Sequence, residues 1–186
     1  MTVKFLAPAA LASLLLSAAV APAPAVAQAA TVTDSSFIQM AASIGLLQAK
    51  LAKIAEDKAT SPAVRDFGKR MAADYAKTNE EIANAAKVAA YPAPVMLRQH
   101  QQVYERFLRM GRGSFDKKYM AQAAADHNDA VKLFQHESER GKVASLKQLA
   151  TNLLPALQDR AALATQTASS VGAEVTAAND GERQGS

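Results

Sequence analysis

The chain has no cysteine, no tryptophan and only three histidines in 186 residues. Without cysteine there are no disulfide staples, no thiolate-bound zinc, no iron–sulfur cluster, no thiol nucleophile and no lipid anchor on a mature N-terminal cysteine. Three histidines leave any metal site short of ligands. Aromatic residues are 5% of the chain, and Val/Ile/Thr alternation punctuated by turns is scarce, which argues against a sandwich or barrel. What is abundant is alanine, 43 residues among 49% apolar and 20% charged. That composition suits closely packed helices in a single domain.

The first thirty residues differ from the rest. Lys4 is followed by an apolar run from Phe5 to Val20, and then by the small-residue sequences Ala25-Val26-Ala27 and Ala27-Gln28-Ala29. This is the three-part pattern of a secretory leader, expected to span residues 1–27 with cleavage after Ala27 or Ala29. Pro8, Pro22 and Pro24 argue against a buried helix there. The expected location is the periplasm, with possible envelope association and no spanning segment after removal of the leader. Loss of Lys4 lowers the formal charge from +4 to +3, too small a surplus to signal nucleic acid, which is not an expected partner. The one locally basic stretch carries Arg98, Arg106, Arg109 and Arg112 against Glu105, an arrangement suited to an anionic or envelope surface, or simply to an exposed connector.

Apolar periodicity divides residues 34–170 into four long helices. The first is expected to be capped by Asp34 or Ser35, with a stripe through Phe37, Met40, Ile44, Leu47, Leu51 and Ile54. Ser61-Pro62 restarts the chain as a second helix along Val64, Phe67, Met71, Asp74, Thr78 and Ile82, which should end before Tyr91-Pro92-Ala93-Pro94. Pro94 to Met110 reads as a short connector helix. Ser114 is expected to cap a third long helix through Phe115, Tyr119, Gln122 or Ala123, Asp126, Ala130, and Leu133 or Phe134, with Gly141 as a left-handed stop. The fourth starts at Ser145 and follows Leu146, Leu149, Leu153, Ala156, Arg160 and Leu163, with a kink at Pro155. Residues 171–186 lack periodicity and read as a disordered tail. Two short turns around a long central connection specify an all-α protein, a ferritin-like four-helix bundle whose crossover contains a short helix; a simple up-down-up-down bundle is the alternative.

Polar residues interrupt these stripes at comparable heights. Gln48, Asp74, Asp126 and Arg160, with Tyr75 and His127 beside them, form a candidate buried polar layer in which one Arg fork would join two carboxylates. Such a layer either fixes helix register or lines a ligand or weak metal site. In the first case Arg160→Ala should cost on the order of 3 kcal/mol by leaving carboxylates uncompensated. No Glu-x-x-His exists, because Leu97, Ala124 and Leu133 precede His100, His127 and His136 by three, so di-iron ligation is not encoded. His100 and His136 read as surface residues. Gly111-Arg112-Gly113-Ser114 is neither a nucleophile elbow nor a phosphate loop. No catalytic residue, cofactor site or metal site is expected.

Phe37-Ile38 with Ala41-Ala42, Ser61-Pro62-Ala63-Val64, Phe67 through Met71-Ala72-Ala73-Asp74, Phe115 to Met120, Ala125-Asp126-His127 and Leu154-Pro155-Ala156-Leu157 together resemble domain of unknown function family 4142. The resemblance covers about residues 34 to 167. It implies an exported bacterial protein of ferritin-like type, of the kind often labelled outer membrane protein, and brings no established activity. It also implies a Glu where this chain has Gln48, a His where it has Tyr75, His127 itself, and a His where it has Arg160. The expected function is therefore a non-enzymatic envelope or stress-related structural or binding role, with the polar layer in place of a metal site; the alternative is a ferritin-like metal-binding or redox protein.

Overall fold

A computed structural model describes residues 26–174, with side chains described from Asp34 onward. The leader expected over residues 1–27 therefore lies almost wholly outside the described residues, as does the tail beyond Glu174. Five helices occupy the rest: α1 Val26–Lys58, α2 Pro62–Val88, α3 Arg98–Arg109, α4 Arg112–Arg140 and α5 Ala144–Ser170. Among the described residues there is no strand, and that part of the chain is all-helical.

The long helices form two hairpins, α1 with α2 and α4 with α5, and the hairpins meet through α1 against α4 and α2 against α5. Two carboxylates fix their directions. Asp34 near the start of α1 accepts the backbone N–H groups of Lys142 (3.0 Å) and Val143 (3.2 Å) in the α4–α5 turn. Asp116 near the start of α4 accepts those of Thr60 (3.1 Å) and Ser61 (2.7 Å) in the α1–α2 turn. Each hairpin thus clamps the other's turn, and α1 runs antiparallel to α4. The chain between α2 and α4 consequently returns from the upper end, where Asp34 sits, to the lower end, where Asp116 sits. On the way α3 packs against α1. Ser43 on α1 accepts the Leu97 N–H at 2.7 Å and pairs with His100 Nδ1 at 2.6 Å, which pins the start of α3. Lys58 Nζ caps its other end by donating to the carbonyls of Leu108 (2.6 Å) and Met110 (2.9 Å). His100 is accordingly half-buried, not the surface residue its sequence position suggests.

These clamps also correct the expected helix starts. Asp34 caps no helix of its own, since α1 begins at Val26 and both expected cleavage positions fall in its first turn. Ser61 holds the N-cap position of α2 but makes no side-chain cap bond; Asp116 supplies the acceptor. Ser114 lies inside α4, which starts after Gly111. Gly141 is not left-handed, with φ −57°; its lack of a side chain makes room for Glu137, against whose carboxyl a Cβ would lie 2.5 Å from Oε1. Helix α5 passes unbroken through the exposed Pro155. Its buried row takes Leu157 and Ala164 in place of the expected Ala156 and Leu163, because steps of four keep the row on the core side.

The core has two apolar parts. The lower contains Leu47, Leu51, Phe67, Met71, Phe115 and Tyr119; the upper contains Phe37, Ile38, Ile82, Phe134, Leu146 and Leu153. Alanine is plentiful because the helices lie close. A Cβ on Gly68 of α2 would approach Ala55 Cβ to 2.9 Å and the Ala52 carbonyl to 3.1 Å. At the end of α5, Gly172 (φ +64°) closes a Schellman motif in which Ala173 N–H reaches Ala168 O at 2.9 Å. The first residues of the expected tail, Val171 and Ala173, therefore pack on the lower core. The same motif ends α2, with Tyr91 N–H on Ala86 O at 2.9 Å, but Ala90 holds the left-handed position at φ +57°. A Cβ is strained there. Ala90→Gly should raise unfolding stability by about 1 kcal/mol in a denaturant titration; a loss of stability would contradict this account of the turn.

Candidate functional site

The polar layer lies where the two apolar parts meet, and it is assembled differently from a single Arg fork. On α2 and α4 the buried seam runs through Tyr75 and Thr78, and through His127, while Asp74 and Asp126 sit one position aside and keep partial exposure. Carboxylates at the margin retain some hydration, whereas rings fill the seam without that cost.

The layer has two halves. On the α2–α5 side, Arg160 is 8% exposed; its Nε lies 3.5 Å from Asp74 Oδ2, its Nη1 donates to Thr78 Oγ1 at 3.0 Å, and its guanidinium carbon sits 5.0 Å from the centre of the Tyr75 ring. Thr78 in turn donates to the Asp74 carbonyl at 3.0 Å. On the α1–α4 side, Gln48 Nε2 donates to Asp126 Oδ2 at 2.6 Å and Gln122 Nε2 to Oδ1 at 2.8 Å. Arg106 of α3 donates to Gln122 Oε1 at 2.9 Å. Arg160 thus makes an ion pair with Asp74 and none with Asp126. The amides of Gln48 and Gln122 replace the second arm of the expected fork.

His127 stands between the halves, fully buried, with Phe67 and Tyr75 edge-on at 6.0 and 5.7 Å. Its Nδ1 lies 2.7 Å from the Ala123 carbonyl, which only accepts, so Nδ1 carries the proton and Nε2 presents a lone pair. Burial brings His127 down to about 4, the nearby Arg160 charge acting in the same direction and the bond to Ala123 against it. Burial also pushes Asp126 up to about 7, although Gln122 and Gln48 both donate to it. The phenols of Tyr75 and Tyr119 are driven well above their ordinary range by the same cause. His127 Nε2, Gln48 Oε1 and both phenol oxygens are buried without a hydrogen-bond partner.

The donor set does not suit a metal ion. Among the described residues no three His, Cys, Asp or Glu side chains are grouped closely enough to hold one, and the guanidinium of Arg160 brings positive charge into the layer. Clefts open elsewhere. One of about 500 Å³ is lined by Arg106, Phe107, Met110, Lys118 and Gln122, and one of about 400 Å³ by Asp66, Phe67, Arg70, Leu163 and Thr167. None of the six layer residues lines either. Of the four arginines in the basic stretch, all are exposed; Arg109 pairs with Glu105 at 3.5 Å, and Arg98 stands alone at the other end of α3.

Thr78 lies on the α2 stripe and Gln122 is one of two choices on that of α4, but neither is among the six residues of the expected layer; each lies one helical turn from an aspartate, at Asp74 plus four and Asp126 minus four. That spacing is the signal that would have found them.

These features define an all-helical protein whose midplane polar groups are paired mainly with one another. The chain matches the model of a family described as Domain of unknown function (DUF4142) over residues 19–167, and it belongs to that family. No curated protein and no solved structure matches it.

Two outcomes test this geometry. Because Asp74 keeps 34% side-chain exposure and also faces Arg70 at 3.8 Å, removing Arg160 leaves it hydrated, and the cost arises from the lost stem packing and the Thr78 bond. Arg160→Ala should destabilise by about 2 kcal/mol and Arg160→Met by about half as much; equal losses would show that charge, not packing, dominates. His127, held neutral well below the ordinary histidine range, contributes stability that is complete above about pH 6.5 and declines as pH falls toward 4. The difference in stability between wild type and His127→Leu should shrink over that window, and a constant difference would contradict the assignment.

Proposed function

We propose that this protein is an exported, non-enzymatic helical bundle of ferritin-like type that serves a structural, stress-related or binding role in the bacterial envelope. The observation that carries the proposal is the internal use of the layer's charges: Arg160 is committed to Asp74 and Thr78, and Asp126 to Gln48 and Gln122. A site poised for acid–base or metal chemistry presents such groups to a cleft, whereas these stabilise helix register. Export rests on the leader pattern of residues 1–27, and no helix among the described residues is long and apolar enough to cross a membrane. Envelope contact is assigned to the exposed Arg98, Arg106, Arg109 and Arg112, which suit an anionic surface.

The competing reading, a metal-binding or redox protein, is favoured by one feature, the free lone pair of His127 Nε2. Metal analysis of protein purified without chelator separates the two. The wild-type protein should carry far less than one equivalent of iron, zinc or copper, whereas the double variant Tyr75→His, Arg160→His should gain binding, as a layer descended from a ligand set would. Stoichiometric metal in the wild type would overturn the proposal.

A further inference from the structure

At the upper end of the molecule a second acidic group is buried, away from the polar layer. Glu137 of α4 is fully buried and neither of its carboxyl oxygens has a hydrogen-bond partner. Its carboxyl faces that of Asp34, itself 1% exposed, within hydrogen-bonding reach. Asp34 already accepts the N–H groups of Lys142 and Val143, so its oxygens face Glu137 as acceptors. Two carboxyl groups brought face to face as pure acceptors repel; with one proton between them they bond. Gly141 supplies the space, since any side chain there would strike the Glu137 carboxyl.

We propose that Asp34 and Glu137 form a proton-sharing carboxyl pair, a pH-sensitive latch that holds the start of α1 to the α4–α5 turn when protonated and loosens it when the proton is lost. The other ionisable groups facing it are few. Tyr91 of the crossover lies beside both carboxyls, and its phenol is shifted upward by burial and by their charge. Lys147 of α5 lowers the Glu137 shift, but its ammonium donates to the Glu139 carbonyl at 3.2 Å. Lys142 is exposed in the turn, and residues 26–33 contain no ionisable side chain. Burial first, and Asp34 second, push Glu137 up to about 7. A carboxyl raised in the folded state stabilises fully below its unfolded value, and that contribution is lost as pH rises through the folded value, here between about 4.5 and 7. Opening the latch would uncover Phe37 and Phe134, whose rings meet at 5.0 Å directly below it.

The test compares the full chain with Glu137→Gln, whose amide donates to Asp34 at every pH. Melting temperatures measured from pH 5 to pH 8.5 should diverge, the variant gaining about 5 °C on the wild type toward the alkaline end. In the wild type the hydrogen-exchange protection of the Lys142 and Val143 amides, corrected for intrinsic rates, should fall about tenfold over the same range. A carbon-13 NMR titration of Glu137 in the wild type needs no variant and should show a midpoint near neutrality. Parallel melting curves or a Glu137 midpoint below pH 5 would overturn the latch. So would a calcium-dependent rise in melting temperature that Glu137→Gln abolishes, which would make the pair a cation site.

Discussion

A guanidinium cannot be left in an alanine- and leucine-lined interior without partners, and this fold has one place that supplies them. Arg160 of α5 reaches a point where Asp74, Thr78 and the face of Tyr75 converge on α2. Sliding α5 by one turn would carry the charge about 5.4 Å into apolar packing on either side, at a cost of roughly 3–5 kcal/mol. The register of α5 on α2 is therefore set by charge, and that of α1 on α4 by the Gln48–Asp126 bond. The two apolar parts of the core fill the space above and below these contacts. They supply the driving force for folding but are too repetitive to choose a register alone.

The ends of the two hairpins repeat this logic with backbone groups. Asp34 and Asp116 each satisfy unpaired amides at the start of a helix belonging to the other hairpin, so the cap that a helix would ordinarily find in its own sequence is supplied across the molecule. Each hairpin completes its partner. The crossover is fastened in the same way, by Ser43 at the start of α3 and Lys58 at its end, which brings Arg106 to Gln122 and links an exposed arginine to the partly buried Asp126 through two hydrogen bonds.

Much of this was legible in the residues. Apolar steps of three and four, the Ser61-Pro62 restart and the prolines at 92 and 94 mark the helices because these signals are local and physical. The positions of the polar layer follow from the same periodicity. Less legible was which member of an adjacent pair faces inward, as at Asp74-Tyr75 and Asp126-His127: the helical period of 3.6 leaves one residue of freedom, and only the neighbouring helices decide. Asp34 and Ser114 look like local caps and are not, and Ser61 holds the N-cap position without a side-chain cap bond, because the amides are satisfied through space. Glu137 gave no signal at all, since a glutamate near a helix end is ordinarily solvated; its burial depends on Gly141 and on Asp34, more than a hundred residues away in sequence.

The layer's ion pair and amide bonds are made within the protein, while Gln48 Oε1, the Tyr75 phenol oxygen and His127 Nε2 have no partner; of these, His127 Nε2 is the basic atom that a proton or a metal would take. Its protonation state measures directly whether the layer is closed by protein groups. Nitrogen-15 NMR of the imidazole should find the neutral form with the proton on Nδ1 from pH 8 down to about pH 5, unchanged by added iron, zinc or copper. An imidazolium at neutral pH, or an Nε2 resonance displaced by any of those metals, would contradict the account.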